Sequence, residues 1–198
     1  MTDGIADAKR ALRAELRERR QQRSDAARTA AAEGVKAQLD ALVASVGARS
    51  ISCFLSAPTE PGTHEFVADA VRRGIRVLLP VTRADGLLDW VVADPDGDIA
   101  EGLFGMPEPV GEVLSPLAVN DVDLLIVPAA AVDATGMRLG WGRGYFDKTL
   151  GSMEHCPPVY AVVFDSELVD AVPRDLQDQP VTGVVTPTRT VVLAPHRR

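Results

Sequence analysis

The order of apolar and polar positions divides the chain into a helical N-terminal quarter and a remainder of short apolar segments separated by loops rich in Pro and Gly. Residues 5–22 are rich in Ala, Leu, Glu and Arg and contain neither Gly nor Pro, which predicts a helix. Ser24 is a suitable N-cap for a second helix over residues 25–45, and Gly47 follows the expected end of that helix.

From residue 50 onward the pattern favours strands. Four consecutive elements begin there, a strand, a loop, a helix and a strand, over residues 51–55 (ISCFL), 56–62 (SAPTEPG), 64–73 and 76–80 (RVLLP). Thr63 directly precedes the helix as its expected N-cap. This order of elements is a βαβ unit, which implies parallel strands.

The second half of the chain continues the alternation of strands and connections. Further strands are predicted at residues 87–92, 123–127, 159–164, 183–185 and 190–193, with one or two helical turns at residues 145–150. The segment 123–127 (DLLIV) is the most strand-like, which indicates a central position in the sheet. Residues 94–120 form a long connection of a kind that is often functional. We therefore expect one three-layer α/β domain over residues 1–198, with a mostly parallel sheet flanked by helices.

Composition and the apolar runs limit the class of protein. The 198 residues are 46% hydrophobic and 25% charged, which is typical of soluble globular proteins. The longest nearly apolar run, Leu124 to Val132, is far shorter than a membrane helix requires. The N-terminus lacks the apolar region of a secretory signal, so we expect a cytoplasmic protein with no membrane partner.

Charge is unevenly distributed along the chain. The formal net charge is −7, and an excess of basic residues over residues 1–28 contrasts with a strongly acidic remainder. An acidic body argues against nucleic-acid binding, which requires a basic face. Lys9, Arg13, Arg17 and Arg20 nevertheless share one face of the first helix, where one anionic ligand or plain solvent are alternative interpretations.

The most informative stretch is residues 133–147 (DATGMRLGWGRGYFD). It contains three alternating glycines and two arginines, namely Gly140, Gly142, Gly144, Arg138 and Arg143. Glycines let a backbone approach a ligand closely, and exposed N–H groups together with guanidinium groups suit phosphate oxygens. The spacing matches neither the Walker loop nor the dinucleotide fingerprint. By composition alone, a phosphate-binding loop and a tight glycine turn in a hairpin are equally good interpretations.

At this stretch the sequence resembles the 5-formyltetrahydrofolate cyclo-ligase family, whose members are also called methenyltetrahydrofolate synthetases. The family pattern, close to Arg-Leu-Gly-x-Gly-x-Gly-Tyr-Tyr/Phe-Asp, matches residues 138–147 (RLGWGRGYFD). Three weaker matches stand in the family's order along the chain: residues 9–13 (KRALR), Glu60 with Thr63, and Asp178 after Pro173. The resemblance covers nearly the whole chain and implies the fold of ribose-phosphate isomerase and CoA-transferase domains.

The resemblance also implies a reaction. Such enzymes use ATP with Mg²⁺ to convert 5-formyltetrahydrofolate to 5,10-methenyltetrahydrofolate, ADP and phosphate. ATP phosphorylates the formyl oxygen, N10 attacks the activated carbon, and phosphate leaves. The implied partners are therefore ATP and 5-formyltetrahydrofolate, in free or polyglutamylated form, with no nucleic acid and no membrane. A monomer or a small homo-oligomer is expected.

The family's functional residues fall on several segments of this chain. ATP binding is implied for a segment of the first helix and for the glycine stretch: Lys9, Arg10, Ala11, Leu12 and Arg13, then Arg138, Leu139, Gly140, Trp141, Gly142, Arg143, Gly144, Tyr145 and Phe146. Within the second segment, Arg138 and Arg143 are the implied catalytic residues. Folate binding is implied for Leu55, Glu60, Trp141 and Tyr145. The implied ligands of Mg²⁺ are Asp147 and Asp178.

Three other interpretations remain open from the sequence. They are an ATP-using kinase or ligase acting on another amide-like substrate, a folate- or nucleotide-binding module without turnover, and a nucleic-acid-binding domain that uses the basic first helix. Asp133 has either a capping or a catalytic role. Arg17, Arg20 and Arg23 are expected on a solvated basic face. Cys53 is expected as a buried thiol, and the spacing of Cys and His does not support zinc.

Overall fold

The computed structural model describes residues 2–193 of the protein. The helices and strands follow one another as α1 (Thr2–Gln21), α2 (Asp25–Val46), β1 (Ser50–Ser52), α3 (His64–Arg72), β2 (Arg76–Thr82), β3 (Leu88–Val92), β4 (Ile99–Glu101), β5 (Pro107–Pro109), β6 (Val113–Leu114), β7 (Leu124–Pro128), β8 (Ala131–Asp133), β9 (Arg138–Leu139), α4 (Tyr145–Ser152), β10 (Val159–Val162), β11 (Leu168–Val169), β12 (Gly183–Val185) and β13 (Thr190–Val192). Short 3-10 turns lie at Leu103–Gly105, Pro116–Asp121 and Asp165–Glu167.

The main sheet has eight strands in the order β13-β12-β10-β7-β1-β2-β3-β6. Four neighbouring pairs are parallel, namely β12–β10, β10–β7, β7–β1 and β1–β2. The three outer pairs are antiparallel, namely β13–β12, β2–β3 and β3–β6. Strand β7 lies between β10 and β1, so the predicted central position of this segment is confirmed. The α/β class with a mostly parallel sheet and flanking helices is likewise confirmed.

Both faces of the sheet are covered, which explains why its central strands are apolar throughout. Leu124 and Ile126 face a cluster built from α2 and α3, while Leu125 and Val127 face a second cluster that includes Leu150 of α4. Side chains alternate between the two faces of a strand, so a run of four apolar residues fills both layers. A third cluster joins α1 to the small sheet β11-β8-β9.

The second helix has the ends that its sequence predicts. The Ser24 hydroxyl accepts a hydrogen bond from the backbone N–H of Ala27 at 3.2 Å, and Gly47 ends the helix in the left-handed conformation with φ of 68°. Helix α1 runs over residues 2–21 rather than 5–22, so the first helix begins three residues earlier than predicted.

Thr63 stands at the N-cap position of α3, as predicted, but its side chain makes no capping bond to the helix. The hydroxyl instead donates to the carbonyl of Phe54 at 2.5 Å and accepts from the N–H of Ser56 at 3.1 Å. These bonds turn the chain away from the sheet, so β1 ends at Ser52 rather than at residue 55. They also fix the loop that carries Glu60.

The long connection over residues 94–120 contains short elements of its own. Strands β4 and β5 form an antiparallel hairpin, and β6 adds to the edge of the main sheet beside β3. None of the helices in the part of the chain that the structure describes has the length and apolar character of a membrane span. The single domain and the cytoplasmic location expected from the sequence stay predictions.

Candidate active site at the glycine loop

The three alternating glycines lie between β9 and α4, in a segment that we call the glycine loop (residues 140–144). They do not make the turn of a hairpin, because β8 and β9 are joined by a turn over residues 133–137 that precedes the loop. Gly142 and Gly144 have φ values of 97° and 71°, a region that side-chain-bearing residues rarely occupy. Of the two interpretations of the motif, the hairpin turn is therefore wrong.

Asp133 holds the turn that precedes the glycine loop. One of its carboxylate oxygens accepts hydrogen bonds from the N–H and hydroxyl of Thr135 and from the N–H of Met137, and the other accepts from the N–H of Val172. Burial opposes ionisation of Asp133, but these hydrogen bonds outweigh it and hold the pKa below its ordinary value. The carboxylate has a capping role, which settles the alternative that the sequence left open.

Two cavities meet at the glycine loop. The first, which we call the apolar cavity, has a volume of about 440 Å³ and is lined by residues that include Leu55, Glu60, Phe104, Trp141, Arg143 and Tyr145. The second, the polar cavity, has a volume of about 810 Å³ and is lined by residues that include Lys9, Arg13, Lys148, Asp175 and Asp178. Gly140, Gly144 and Asp147 line both. The loop is therefore the wall between an apolar and a charged chamber.

A buried carboxylate and an indole face each other in the apolar cavity. The Nε1–H of Trp141 donates to Oε1 of Glu60 at 3.1 Å, and the N–H of Ala57 donates to Oε2 at 2.9 Å. Burial raises the pKa of Glu60, opposed by these hydrogen bonds and by the charge of Arg20. Glu60 is thus a desolvated acceptor with fixed orientation, suited to a ligand with several N–H donors.

The mouth of the apolar cavity is formed by the long connection. The guanidinium of Arg143 lies over the ring of Phe104 at 3.4 Å from its centroid, and both side chains are exposed. Glu108, also on this wall, accepts hydrogen bonds from the N–H and hydroxyl of Thr82 at 2.9 Å and 2.5 Å. Sequence reasoning missed Phe104, Glu108 and Thr82. The length of the connection was the only signal that pointed to Phe104 and Glu108, and no signal pointed to Thr82 in β2.

The polar cavity contains cations that are paired with carboxylates. The Nζ of Lys9 lies 2.6 Å from Asp178 and 2.9 Å from Asp175. Burial alone would lower the pKa of Lys9, but the bonds to the two carboxylates raise it above the ordinary value. Arg13 donates from Nε to the carbonyl of Gly140 at 2.7 Å, which ties α1 to the glycine loop. The first helix and the loop, separate in sequence, form one cationic wall.

Arg138 lies on the wall of the apolar cavity. It is almost fully buried, and its guanidinium donates to Oδ1 of Asp147 at 2.6 Å and to the carbonyl of Pro128 at 3.3 Å. Asp147 stands in the first turn of α4, where the helix dipole favours a carboxylate. The pair fixes the end of β7 to the start of α4 across the glycine loop.

Asp147 and Asp178 have donor chemistry that fits Mg²⁺. Both carboxylates line the polar cavity, and each has one oxygen, Oδ2 of Asp147 and Oδ1 of Asp178, that accepts no hydrogen bond within residues 2–193. The described residues contain no group of three or more His, Cys, Asp or Glu side chains that could hold a metal. Two carboxylates are enough for Mg²⁺ when phosphate oxygens and water complete its shell.

The structure brings most of the implied site residues to these cavities, but not all. Arg10 and Ala11 lie on the exposed face of α1, where Arg10 pairs with Asp7. The side chains of Leu12 and Leu139 pack in the cluster beneath α1. The roles of all these residues stay predictions.

The expectation that Arg20 and Arg23 belong to a solvated face is wrong. Arg20 is 1% exposed and pairs with Glu167. Arg23 stacks on Phe164 at 3.8 Å from the ring centroid. Arg17 is exposed, but it lines the apolar cavity and lies over the ring of Trp141 at 5.6 Å. The helical spacing shows that these arginines share a face, yet a partner more than a hundred residues away cannot be inferred from it.

Comparison with known proteins agrees with this arrangement. A family model described as the 5-formyltetrahydrofolate cyclo-ligase family matches residues 5–187. A 5-formyltetrahydrofolate cyclo-ligase of Mycolicibacterium smegmatis is 34% identical over 190 residues, covering 93% of this chain and 96% of that protein. One of Escherichia coli K12 is 34% identical over 149 residues, covering 73% and 81%. The solved structure of Aquifex aeolicus 5,10-methenyltetrahydrofolate synthetase superposes with a TM-score of 0.78 at 26% identity, covering 96% and 95%.

The fold and the two cavities define an α/β protein with a candidate site at a glycine loop. The family match covers most of the chain, and the relative from M. smegmatis does so at more than 30% identity. The chain belongs to the 5-formyltetrahydrofolate cyclo-ligase family.

Proposed function

We propose that this protein catalyses the ATP-dependent cyclisation of 5-formyltetrahydrofolate to 5,10-methenyltetrahydrofolate, with release of ADP and phosphate. The observation that carries the proposal is the junction of the apolar and polar cavities at the glycine loop. A flat, largely apolar substrate and a polyanionic one are both required, and their reacting atoms must meet. Two adjoining chambers with a shared wall suit that requirement.

The apolar cavity suits the pterin of the folate. Trp141 and Tyr145 offer flat apolar surface, and Leu55 adds to the wall. The buried Glu60 carboxylate would accept hydrogen bonds from the N–H groups on the edge of the pterin. The volume of about 440 Å³ lies in the range of ordinary small-molecule sites.

The polar cavity suits the phosphates of ATP. Lys9 and Arg13, one helical turn apart, would contact phosphate oxygens together with backbone N–H groups of the glycine loop. Lys9 is paired with Asp175 and Asp178, so phosphate binding would exchange these carboxylates for phosphate oxygens. The nucleotide would thus compete with contacts that the protein makes to itself.

The reaction then proceeds in two steps. The formyl oxygen attacks the γ-phosphorus, and the bond from that phosphorus to the bridging oxygen of ADP breaks. N10 next attacks the activated formyl carbon and loses its proton, and inorganic phosphate departs with the former formyl oxygen. The positive charge of the methenyl product is delocalised over N5 and N10. The chain's contribution is to hold the formyl oxygen in line with the γ-phosphate.

Asp147 and Asp178 would hold Mg²⁺ with oxygens that are otherwise free of hydrogen bonds within the described part of the chain. The ion, when bound with ATP, would neutralise charge on the phosphates. Arg138 would keep Asp147 oriented through their 2.6 Å bond. Arg143, on the exposed side of the glycine loop, would stabilise charge on the transferring phosphoryl group.

The test is a coupled assay with purified protein, 5-formyltetrahydrofolate and ATP with Mg²⁺. Methenyl absorbance and ADP should rise one to one, and neither should rise when the other substrate is omitted. Arg19→Ala, at an exposed position of α1 that pairs with Glu15, is the matched control and should retain the wild-type rate. ADP without methenyl product would overturn the folate half of the proposal. Binding of both ligands without turnover would indicate a binding module instead.

A further inference from the structure

Arg20 is the most deeply buried cation among the residues that the structure describes. Its Nε and Nη2 donate to the two carboxylate oxygens of Glu167, both at 2.7 Å, and Nη2 also donates to the carbonyl of Ala129 at 2.9 Å. Glu167 is 2% exposed, and its Oε2 additionally accepts from the N–H of Phe164 at 2.8 Å. The guanidinium is therefore fixed in position by two elements, the 3-10 turn and the end of β7.

The guanidinium of Arg20 also lies over the ring of Trp141, which lines the apolar cavity. Its Cζ lies 4.8 Å from the centroid of the Trp141 ring, and Nη1 has no hydrogen-bond partner within residues 2–193. Trp141 in turn donates its indole N–H to Glu60. A continuous series of contacts thus runs from Glu167 through Arg20 and Trp141 to Glu60. Only the last two line the cavity.

A buried ion pair of this kind contributes little net stability compared with well-packed apolar residues. The positive charge of Arg20 also acts on Glu60, which is bonded to the indole of Trp141. We propose that Arg20, oriented by Glu167, is a positioning residue that holds Trp141 against Glu60 and supplies positive charge near the carboxylate that would recognise the pterin. The pterin as ligand rests on the proposed function, whereas the effect of Arg20 on Trp141 and Glu60 does not depend on it.

The charges around Glu60 determine in which direction each substitution should shift its titration. Burial raises the pKa of Glu60, the positive charge of Arg20 lowers it, and the negative charge of Glu167 raises it. The other ionisable groups on the wall of the same cavity are Arg17, Glu108, Arg138, Arg143, Tyr145 and Asp147. Because Arg20 and Glu167 have opposite effects, removing one charge or the other must move the titration of Glu60 in opposite directions.

The experiment follows the indole N–H signal of Trp141 by NMR as a function of pH, in the full-length protein without substrate. The hydrogen bond to Glu60 makes this signal a reporter of the carboxylate. Trp141→Phe identifies it against the signal of Trp90. In Arg20→Met the midpoint should rise by about one pH unit, and in Glu167→Gln it should fall. Arg23→Met removes a neighbouring charge that stacks on Phe164, and it should leave the midpoint unchanged.

Kinetics then connect the titration to recognition. The pH at which the KM for 5-formyltetrahydrofolate begins to rise should shift with the midpoint in each variant, while the KM for ATP stays within about twofold of wild type. Arg20→Lys, which keeps the charge, should restore most of the wild-type pH profile. If Arg20 had only a structural role, its substitution would change the KM for both substrates. The shift of the midpoint would then not have opposite directions in Arg20→Met and Glu167→Gln.

Several outcomes would overturn the inference. Midpoints that move in the same direction in Arg20→Met and Glu167→Gln, or that do not move, exclude an electrostatic role. If Arg20→Met does not fold, Glu167→Gln decides, because it preserves the shape and the acceptor oxygen of the side chain. If the midpoints shift in opposite directions but the wild-type protein has no activity with 5-formyltetrahydrofolate, the effect of Arg20 on Glu60 is supported and the proposed function is refuted.

Discussion

The two halves of the site contain similar groups but arrange them differently. On the apolar side, Glu60 is held by a backbone N–H and an indole N–H, and it contacts no cation directly. On the polar side, Lys9 is bonded to two carboxylates of the same chain, Asp175 and Asp178. The apolar side therefore has an acceptor already oriented for a ligand, whereas on the polar side carboxylates of the chain neutralise the charge of Lys9.

This difference implies a division of roles. A preformed acceptor gives specificity, because a ligand without matching donors leaves a buried carboxylate unsatisfied. Cations that are paired in the free protein avoid an exposed cluster of like charges, and they weaken binding of the anion by the cost of separating those pairs. We therefore expect substitutions on the two sides to affect different kinetic constants, and in one case in opposite directions.

The largest effect is expected where the two halves meet. Arg143→Ala should lower kcat about a hundredfold, because the guanidinium is proposed to act on charge that develops during phosphoryl transfer. The KM for 5-formyltetrahydrofolate should change by less than about twofold. Steady-state kinetics check this, with Arg143→Lys as the charge-preserving control that should retain most of the turnover. Unchanged kcat in Arg143→Ala would remove this residue from catalysis.

The next effect tests the preformed half. Glu60→Gln should raise the KM for 5-formyltetrahydrofolate about thirtyfold, since hydrogen bonds to a charged group contribute about 1.5–3 kcal/mol. ATP affinity measured by calorimetry should remain at the wild-type value. Glu65→Gln, on the exposed face of α3, is the matched control. Equal loss of both affinities would point to a folding defect instead.

A smaller effect is expected from the wall between the halves. A Cβ at Gly142 would lie 3.3 Å from the guanidinium carbon of Arg13, at a φ of 97°. Gly142→Ala should therefore raise the KM for ATP about tenfold, because backbone strain of about 1–3 kcal/mol would displace the loop. Gly74 has a similar φ of 83° and open space around it. Gly74→Ala therefore introduces the same kind of backbone strain without a contact to Arg13. If both variants weaken ATP binding equally, the effect is general rather than local.

The smallest effect tests the self-neutralised half and has the opposite sign. Asp175→Asn should lower the KM for ATP about threefold, because it removes one of the two carboxylates that compete for Lys9. Asp170→Asn, an exposed aspartate nearby in sequence, serves as the control. The measurement is the KM for ATP at low ionic strength, where such pairs are strongest. An increase would mean that Asp175 holds Lys9 in place for the nucleotide.

Sequence reasoning predicted what local patterns determine. The central strand, the capped second helix and the glycine loop each follow from apolar runs, a Ser N-cap or the backbone freedom of glycine. Strands β8, β9 and β11 could not be predicted in this way. They have only two or three residues each, and they pair with one another in a small sheet that packs against α1 rather than in the main sheet.

Long-range partners account for the remaining differences. Thr63 has the sequence signature of an N-cap, but its hydroxyl is used by Phe54 and Ser56 nine and seven residues away. Arg20 looks like its neighbours Arg17 and Arg23 on a basic helix, and only the buried Glu167 distinguishes it. Local sequence gives the type of side chain available, and the tertiary fold decides which competing hydrogen bond is made.

Helix α1 also contacts residues of the candidate site that are far from it in sequence. Its partners in the site are separated from it by 147 residues at Glu167 and by 166 and 169 residues at Asp175 and Asp178. During synthesis the parallel strands β1 and β2 can pair long before these contacts exist. Both the support for Glu60 and the ion pairs of Lys9 therefore depend on contacts of high sequence separation, so we expect the candidate site to be completed after the central strands have paired.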